Sequence, residues 1–303
     1  MIRWVLALTT AALVAPSLAS AYSWPLRPFY RMHPIRGGFD DPRLHLGPNA
    51  TPVGAFHFGI DISAPDGTAV YAVEPGRVVA GRDWVSVHRP NNRAFGYWHI
   101  RPVVHSGSRV RLHQLLGHII PGWGHVHFAE AVAGHYRNPL RPRALWPYKD
   151  TTAPVVDAIY VDRFEQHVLL SAGSVVSGTI AIGADAYDLP TIAPPAPWNV
   201  ARLTPAFVRW RLIQPGGEWQ PWRVAVDFTR LLPTSKYWST YMLGSYQNKP
   251  NRPGDYKFWL TRSFDTAVLP NGTYWLQVDA LDFAGNVGSD EIPLTIANPT
   301  DTG

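Results

Sequence analysis

Apolar and polar residues alternate over short stretches along most of this chain, a period of two that predicts β-strands. In the first half, TAVYAV from Thr68, GRVVAG from Gly76 and WVSVH from Trp84 are rich in β-branched and aromatic residues. Between them stand PDG and EPG, which are turn signals. In the second half AFVRWRL, WRVAVDF, YKFWL and TYWLQVDALD alternate in the same way between Gly, Pro and Asn joints. No sustained apolar period of 3.6 residues interrupts them. The expected fold class is mainly β: a domain of antiparallel sheets followed by a β-sandwich.

Length and residue usage divide the chain. At 303 residues it is about twice the commonest domain size, and eleven of its twelve histidines fall between His33 and His135. Residues 138–154, NPLRPRALWPYKDTTAP, carry four prolines, which suit a fixed connection better than a strand or helix interior. These signals predict a first domain over 22–149, a second over 150–298 with an insertion near 231–253, and a tail over 299–303.

The N-terminus reads as a secretory signal. Arg3 precedes an apolar stretch from Trp4 to Ala15, then come Pro16 and the small residues Ala19, Ser20 and Ala21, so cleavage is expected after Ala21. A dozen apolar residues are too few to span a bilayer, so no transmembrane anchor is expected, and the mature chain belongs in a periplasm or beyond. Arg3 is the only charge removed, which takes the formal net charge from +5 to +4. That mild excess suits anionic envelope polymers, but there is no lysine-rich run of the kind that tracks phosphates, so no nucleic-acid partner is expected. Cysteine is absent, so the fold relies on its core, and on a metal if one is held, rather than on disulfides.

Candidate chemistry lies in HFGIDIS, with His57 and Asp61, and in HVHF, with His125 and His127. Imidazoles plus one carboxylate are the donors of a hydrolytic zinc site that keeps one position open for water. On a straight strand His57 and Asp61 would sit about 13 Å apart, so the chain must bend between them. Gly59, midway, suits a bulge or a close approach. His125 and His127, two apart, face the same way about 6.6 Å from each other, so one or both are available to a metal. HVH alone is weak, because roughly 0.5 such triplets are expected by chance at this histidine content.

Taken together and in order, the segments resemble the lysostaphin-type (LytM-like) zinc metallopeptidases that cleave the peptide part of bacterial peptidoglycan. The likeness runs from about Trp24 to Tyr148 through GGFDDPR, HFGIDISAPDGTAVYAVEPGRVVAG, YWHI, SGSRVRLHQLLGHI and GHVHFAE. It implies a domain of the duplicated-hybrid-motif type, one zinc per chain on His57, Asp61 and His127, and catalytic roles for His99 and His125. It leaves open which of those two is the general base. The implied substrate is a peptidoglycan cross-link or stem peptide, hydrolysed through a zinc-activated water.

The chain departs from that pattern in places. HVHF is followed by Ala129 and only then by Glu130, PGWG is short, and YWHI lacks an upstream threonine, changes expected to alter the groove walls. Activity is expected to fall below roughly pH 6 as histidines protonate. LGPNATPVG, around Asn49, is placed to form a loop over the cleft. The second half resembles bacterial immunoglobulin-like modules, with envelope glycan or protein as candidate partner. Tyr237, Trp238, Tyr241 and Tyr246 in its insertion suit either sugar stacking or core packing, the latter being the simpler. The other functions compatible with these residues are a non-catalytic envelope binder or activator on the same fold, and an adhesin.

Overall fold

A computed structural model describes residues 21–47, 51–163, 168–170, 173–214, 216–217 and 220–299. The expected signal segment up to Ser20, Asn49 at the centre of the expected cleft loop, and the last four residues lie outside this set. Mainly antiparallel β-structure fills the rest. The described residues contain one four-residue α-helix, and no helix long and apolar enough to cross a membrane.

The first thirteen strands make three sheets. The largest runs in the order β1 (Ile35–Gly37), β4 (Ile60–Ser63), β12 (His125–Val132), β8 (Arg93–Trp98), β7 (Trp84–His88), β6 (Gly76–Ala80) and β10 (Arg109–Val110), with β13 (His135–Arg137) paired to β12. A hairpin joins β2 (Pro42–Leu46) to β3 (Pro52–Phe56). A three-stranded sheet contains β5 (Ala69–Tyr71), β11 (Leu115–Ile119) and β9 (Ile100–Pro102). Predicted strands 68–73, 76–81 and 84–88 correspond to β5, β6 and β7. Their inward residues, Val70, Val78, Val85 and Val87, meet Ile60, Ile62, Val126 and Phe128 in one apolar core, as alternating side chains on a pleated strand require.

The second part has two sheets around another core. One orders β15 (Val168–Leu170), β14 (Val155–Arg163), β17 (Thr179–Tyr187) and β20 (Lys257–Asp265). The other orders β16 (Val175–Val176), β22 (Val287–Ile296), β21 (Gly272–Leu281), β18 (Phe207–Ile213) and β19 (Arg223–Asp227). All their pairings are antiparallel except β16 with β22. Residues 231–253, between β19 and β20, hold the helix α1 (Tyr237–Thr240) and pack back on the first part. Tyr237 and Tyr241 are buried against Phe56, which settles them as core residues, whereas Trp238 is exposed.

Hydrogen bonds tie the two parts together along Arg36–Asp40. Asn248 Nδ2 donates to the Arg36 carbonyl (2.9 Å), Thr204 Oγ1 to the Phe39 carbonyl (2.6 Å) and Tyr241 Oη to the Asp40 carbonyl (2.7 Å). This matters for the site, because the clamped segment contains Gly38.

Candidate metal centre

β12 lies between β4 and β8, and its register sets His127 opposite Asp61 on one side and Trp98 on the other. His125 and His127 share one face of the strand through its period of two. His57 arrives from outside any strand, because residues 57–59 break the path from β3 to β4. The expected bend at Gly59 is therefore present as a strand break. A Cβ at Gly59 would stand 2.4 Å from the Phe128 carbonyl and 2.7 Å from His127 Nε2, so only glycine admits that approach.

Three donor atoms converge. His57 Nε2 lies 2.7 Å from His127 Nδ1 and 3.2 Å from Asp61 Oδ1, and His127 Nδ1 lies 3.1 Å from that same oxygen. Tetrahedral zinc with bonds of about 2.0 to 2.1 Å separates its ligand atoms by about 3.3 Å, so the triangle has the right scale. Proton accounting also calls for a cation. His57 Nδ1 donates to the Gly38 carbonyl (2.6 Å), which leaves a lone pair on Nε2. Asp61 Oδ1 is an acceptor too, 3.2 Å away, and the one neighbour placed between them, His127 Nδ1 at 2.7 and 3.1 Å, can donate to only one of the two. Burial, with the charge on Arg43 adding to it, lowers the His57 pKa, so a second proton on that ring is disfavoured. By donor type and by geometry His57, Asp61 and His127 could thus hold a metal ion.

Electrostatics keep these donors deprotonated. Burial opposes the Asp61 carboxylate, yet His57 and His125 beside it hold its pKa well below the ordinary range. Desolvation pushes His127 down to about 4 and His99 down to about 3. Arg43 Nη2 lies 3.3 Å from Asp61 Oδ2, on the carboxylate edge away from the histidines.

The two remaining histidines flank the group. His125 Nε2 is 3.4 Å from Asp61 Oδ1. Its Nδ1 lies 2.6 Å from Arg36 Nη2 and 2.7 Å from the Trp123 carbonyl, and one nitrogen cannot serve both. A guanidinium only donates, so Nδ1 accepts from Arg36 and the proton of a neutral His125 sits on Nε2. The Trp123 carbonyl is satisfied by the same Nη2, at 2.7 Å. His99 is left-handed at φ 64°, between β8 and β9, and stacks on Trp123 with centroids 3.6 Å apart. Its Nδ1 is buried without a hydrogen-bond partner. Such backbone geometry in a non-glycine residue is kept where the surroundings fix it, and Ile120 N donates to the His99 carbonyl at 2.9 Å.

No protein-family model matches the chain, and no curated protein matches it. Several solved structures do. A zinc-containing peptidase from Vibrio cholerae aligns at 23% identity over 40% of this chain with a TM-score of 0.32, and the chain spans 39% of that protein's length. The catalytic domain of the prophage-encoded M23 protein EnpA from Enterococcus faecalis aligns at 27% identity over 33% of this chain and 88% of its own, with a TM-score of 0.25. Pseudoalterin, an M23 metalloprotease from the deep sea, aligns at 14% identity over 52% of this chain and 94% of its own, with a TM-score of 0.29.

The five histidine and aspartate positions expected at the site come together at one cleft of about 550 Å³. Its walls also hold residues to which the motifs gave no role: Arg36 just before the GGFDDPR segment and Arg43 at its end, Trp123 in the short PGWG turn, and Trp198, Gln247 and Asn248 from the second part. Arg36 and Arg43 were legible as charges beside a recognised segment. Trp198 and Asn248 carried no signal, because only tertiary packing brings them there.

Glu130 does not shape the groove, because it points with Val126 and Phe128 to the opposite face of β12. Its carboxylate is fully buried and accepts from Tyr22 Oη (2.8 Å), Arg93 Nε (2.8 Å) and Arg141 Nη1 and Nη2 (2.7 and 2.9 Å). A second carboxylate group, Asp150, Asp188 and Asp282, is also buried, and its oxygens accept from Tyr148, Thr152, Thr191, Asn286 and the Leu189 amide.

Proposed function

We propose that this chain is an exported zinc-dependent endopeptidase that hydrolyses peptide cross-links or stem peptides of bacterial peptidoglycan. Residues 22–149 form the metallopeptidase domain and 150–298 an immunoglobulin-like β-sandwich. The observation that carries this reading is the pair of facing acceptors, His57 Nε2 and Asp61 Oδ1, closed into a triangle by His127 Nδ1. Surrounding it is a cleft of about 550 Å³ with Phe58, Trp98, Trp123 and Trp198 in its walls.

His57, Asp61 and His127 would hold the zinc, which supplies polarisation of the scissile carbonyl and a more acidic water. The chain's own groups divide the proton transfers. His125, held by Arg36 with its proton on Nε2, donates to the oxygen that gains charge as the carbonyl carbon becomes tetrahedral. His99, which lines the same cleft, is the second imidazole, taking a proton from the attacking water and returning it to the leaving amine. Trp123, stacked flat on His99, fixes that ring at the cleft wall.

Two measurements test the proposal. The mature chain, purified without chelator, is expected to carry about one zinc. Mass spectrometry of peptidoglycan treated with it is expected to show newly cut peptide bonds. A chain that holds no zinc, and cuts nothing when zinc is added, would instead be a non-catalytic envelope binder.

A further inference from the structure

Arg36 is a half-buried guanidinium that no carboxylate among the described residues pairs with, at the edge of the metal centre. Its Nη2 is used on the Trp123 carbonyl and on His125 Nδ1. The remaining three N–H hydrogens, on Nε and Nη1, have no protein acceptor, although the residue lines the cleft. The plane is held from its other side by Trp198, whose ring centroid lies 4.1 Å from Arg36 Cζ. The backbone is held as well, by Asn248 Nδ2 on the Arg36 carbonyl. Arg43, across the cleft, differs: its charge is matched by Asp61 at 3.3 Å and Asp41 at 3.7 Å. Arg36 is therefore a rigidly placed, partly desolvated cation with donors to spare and, unlike Arg43, no carboxylate within ion-pair distance among the described residues, and partial burial makes each such donor worth more than it would be in water.

We infer that Arg36 is a specificity residue that binds a carboxylate of the peptide substrate next to the scissile bond. This rests on the peptidase function proposed above and narrows its substrate class to peptides with a free carboxylate at that place. The carboxylate accepts from Nη1 and Nε while Nη2 keeps His125 in its donor tautomer, so the same residue reads the substrate and orients the neighbouring imidazole. Trp198 reaches the cleft from the second part, which thereby contributes to substrate choice rather than only to attachment.

The test uses stem-peptide dimers released from peptidoglycan in three forms: carboxylates free, C-terminally amidated, and amidated on the side chain. Binding to the full mature chain, zinc-loaded and chelator-treated, is followed by calorimetry, and cleavage is followed in parallel. One of the two amidations is expected to weaken binding roughly tenfold to a hundredfold, and which one does so identifies the carboxylate that Arg36 holds. Arg36→Gln is expected to bring the acid-to-amide ratio near one and Arg36→Lys to keep part of it. Taking the ratio cancels any common effect through His125.

Equal affinity of the wild-type chain for all three forms overturns the inference, as does a preference that survives intact in Arg36→Gln. The wild-type comparison decides alone if the variant does not fold. A chain that prefers the free acid but cleaves nothing keeps this inference and sinks the peptidase proposal. One that cleaves all three equally does the reverse.

Discussion

The two faces of β12 bury polar groups of opposite character. On the core face Glu130 is an acid whose four donors neutralise and saturate it. On the cleft face His57 Nε2 and Asp61 Oδ1 are two facing acceptors, and His127 Nδ1 can donate to only one of them. Glu130, His57 and His127 are all buried and Asp61 is largely so, and burial alone does not tell the two faces apart. Hydrogen-bond accounting does: a saturated buried charge suits the scaffold, and facing acceptors short of a proton suit a cation.

The largest expected break in this contrast comes from the cleft face. His127→Ala removes a donor to the metal and is expected to abolish both zinc content and peptide cleavage. His125→Ala is expected to abolish cleavage while most zinc stays, as metal analysis and rate assays on the two variants would show. Equal metal loss in both would move His125 into the ligand set.

Next in size is the core face. Glu130→Ala removes the carboxylate that Arg93 Nε and Arg141 share, leaving Arg93 to Glu74 and Arg141 to the Asn138 carbonyl, and is expected to destabilise the fold by about 3 to 5 kcal/mol in urea unfolding. Zinc per folded chain should stay unchanged. If zinc fell in step with stability, the two faces would be coupled and the contrast would fail.

The smallest effect is a displacement on the pH axis. His57 and His127 have pKa values below 6.5 in the folded chain, His127 near 4, because burial disfavours their charged forms. Groups depressed in this way bind protons first in the unfolded state, so their stabilising contribution is lost as pH falls from 6.5 toward 4. Zinc retention is therefore expected to titrate closer to pH 4 than to the loss near pH 6 that unperturbed histidines imply. A release midpoint at 6.5 would mean that the site is wetter than the structure has it.

The sequence carried much of this. Strands around Val70, Val78 and Val85 were legible because β-branched alternation and glycine turns are local signals. His57, Asp61, His125 and His127 were legible as a set because a bend and a period of two are also local. The reason Gly59 is glycine was only half legible: a bend was evident, but the carbonyl of Phe128 and the ring of His127 crowding it come from a strand almost seventy residues away. The face on which Glu130 sits followed from strand parity, whereas its saturation by Tyr22, Arg93 and Arg141 depends on contacts that spacing does not encode.

Asn248 links the two parts in a way that bears on how such a chain can change. It grips the backbone at Arg36, two residues before the carbonyl that orients His57, and it lines the same cleft. The cleft is accordingly a seam with one wall from each half. Exchanging the C-terminal half for that of another protein would alter substrate choice and ligand alignment at once, so neither half is free to drift without the other.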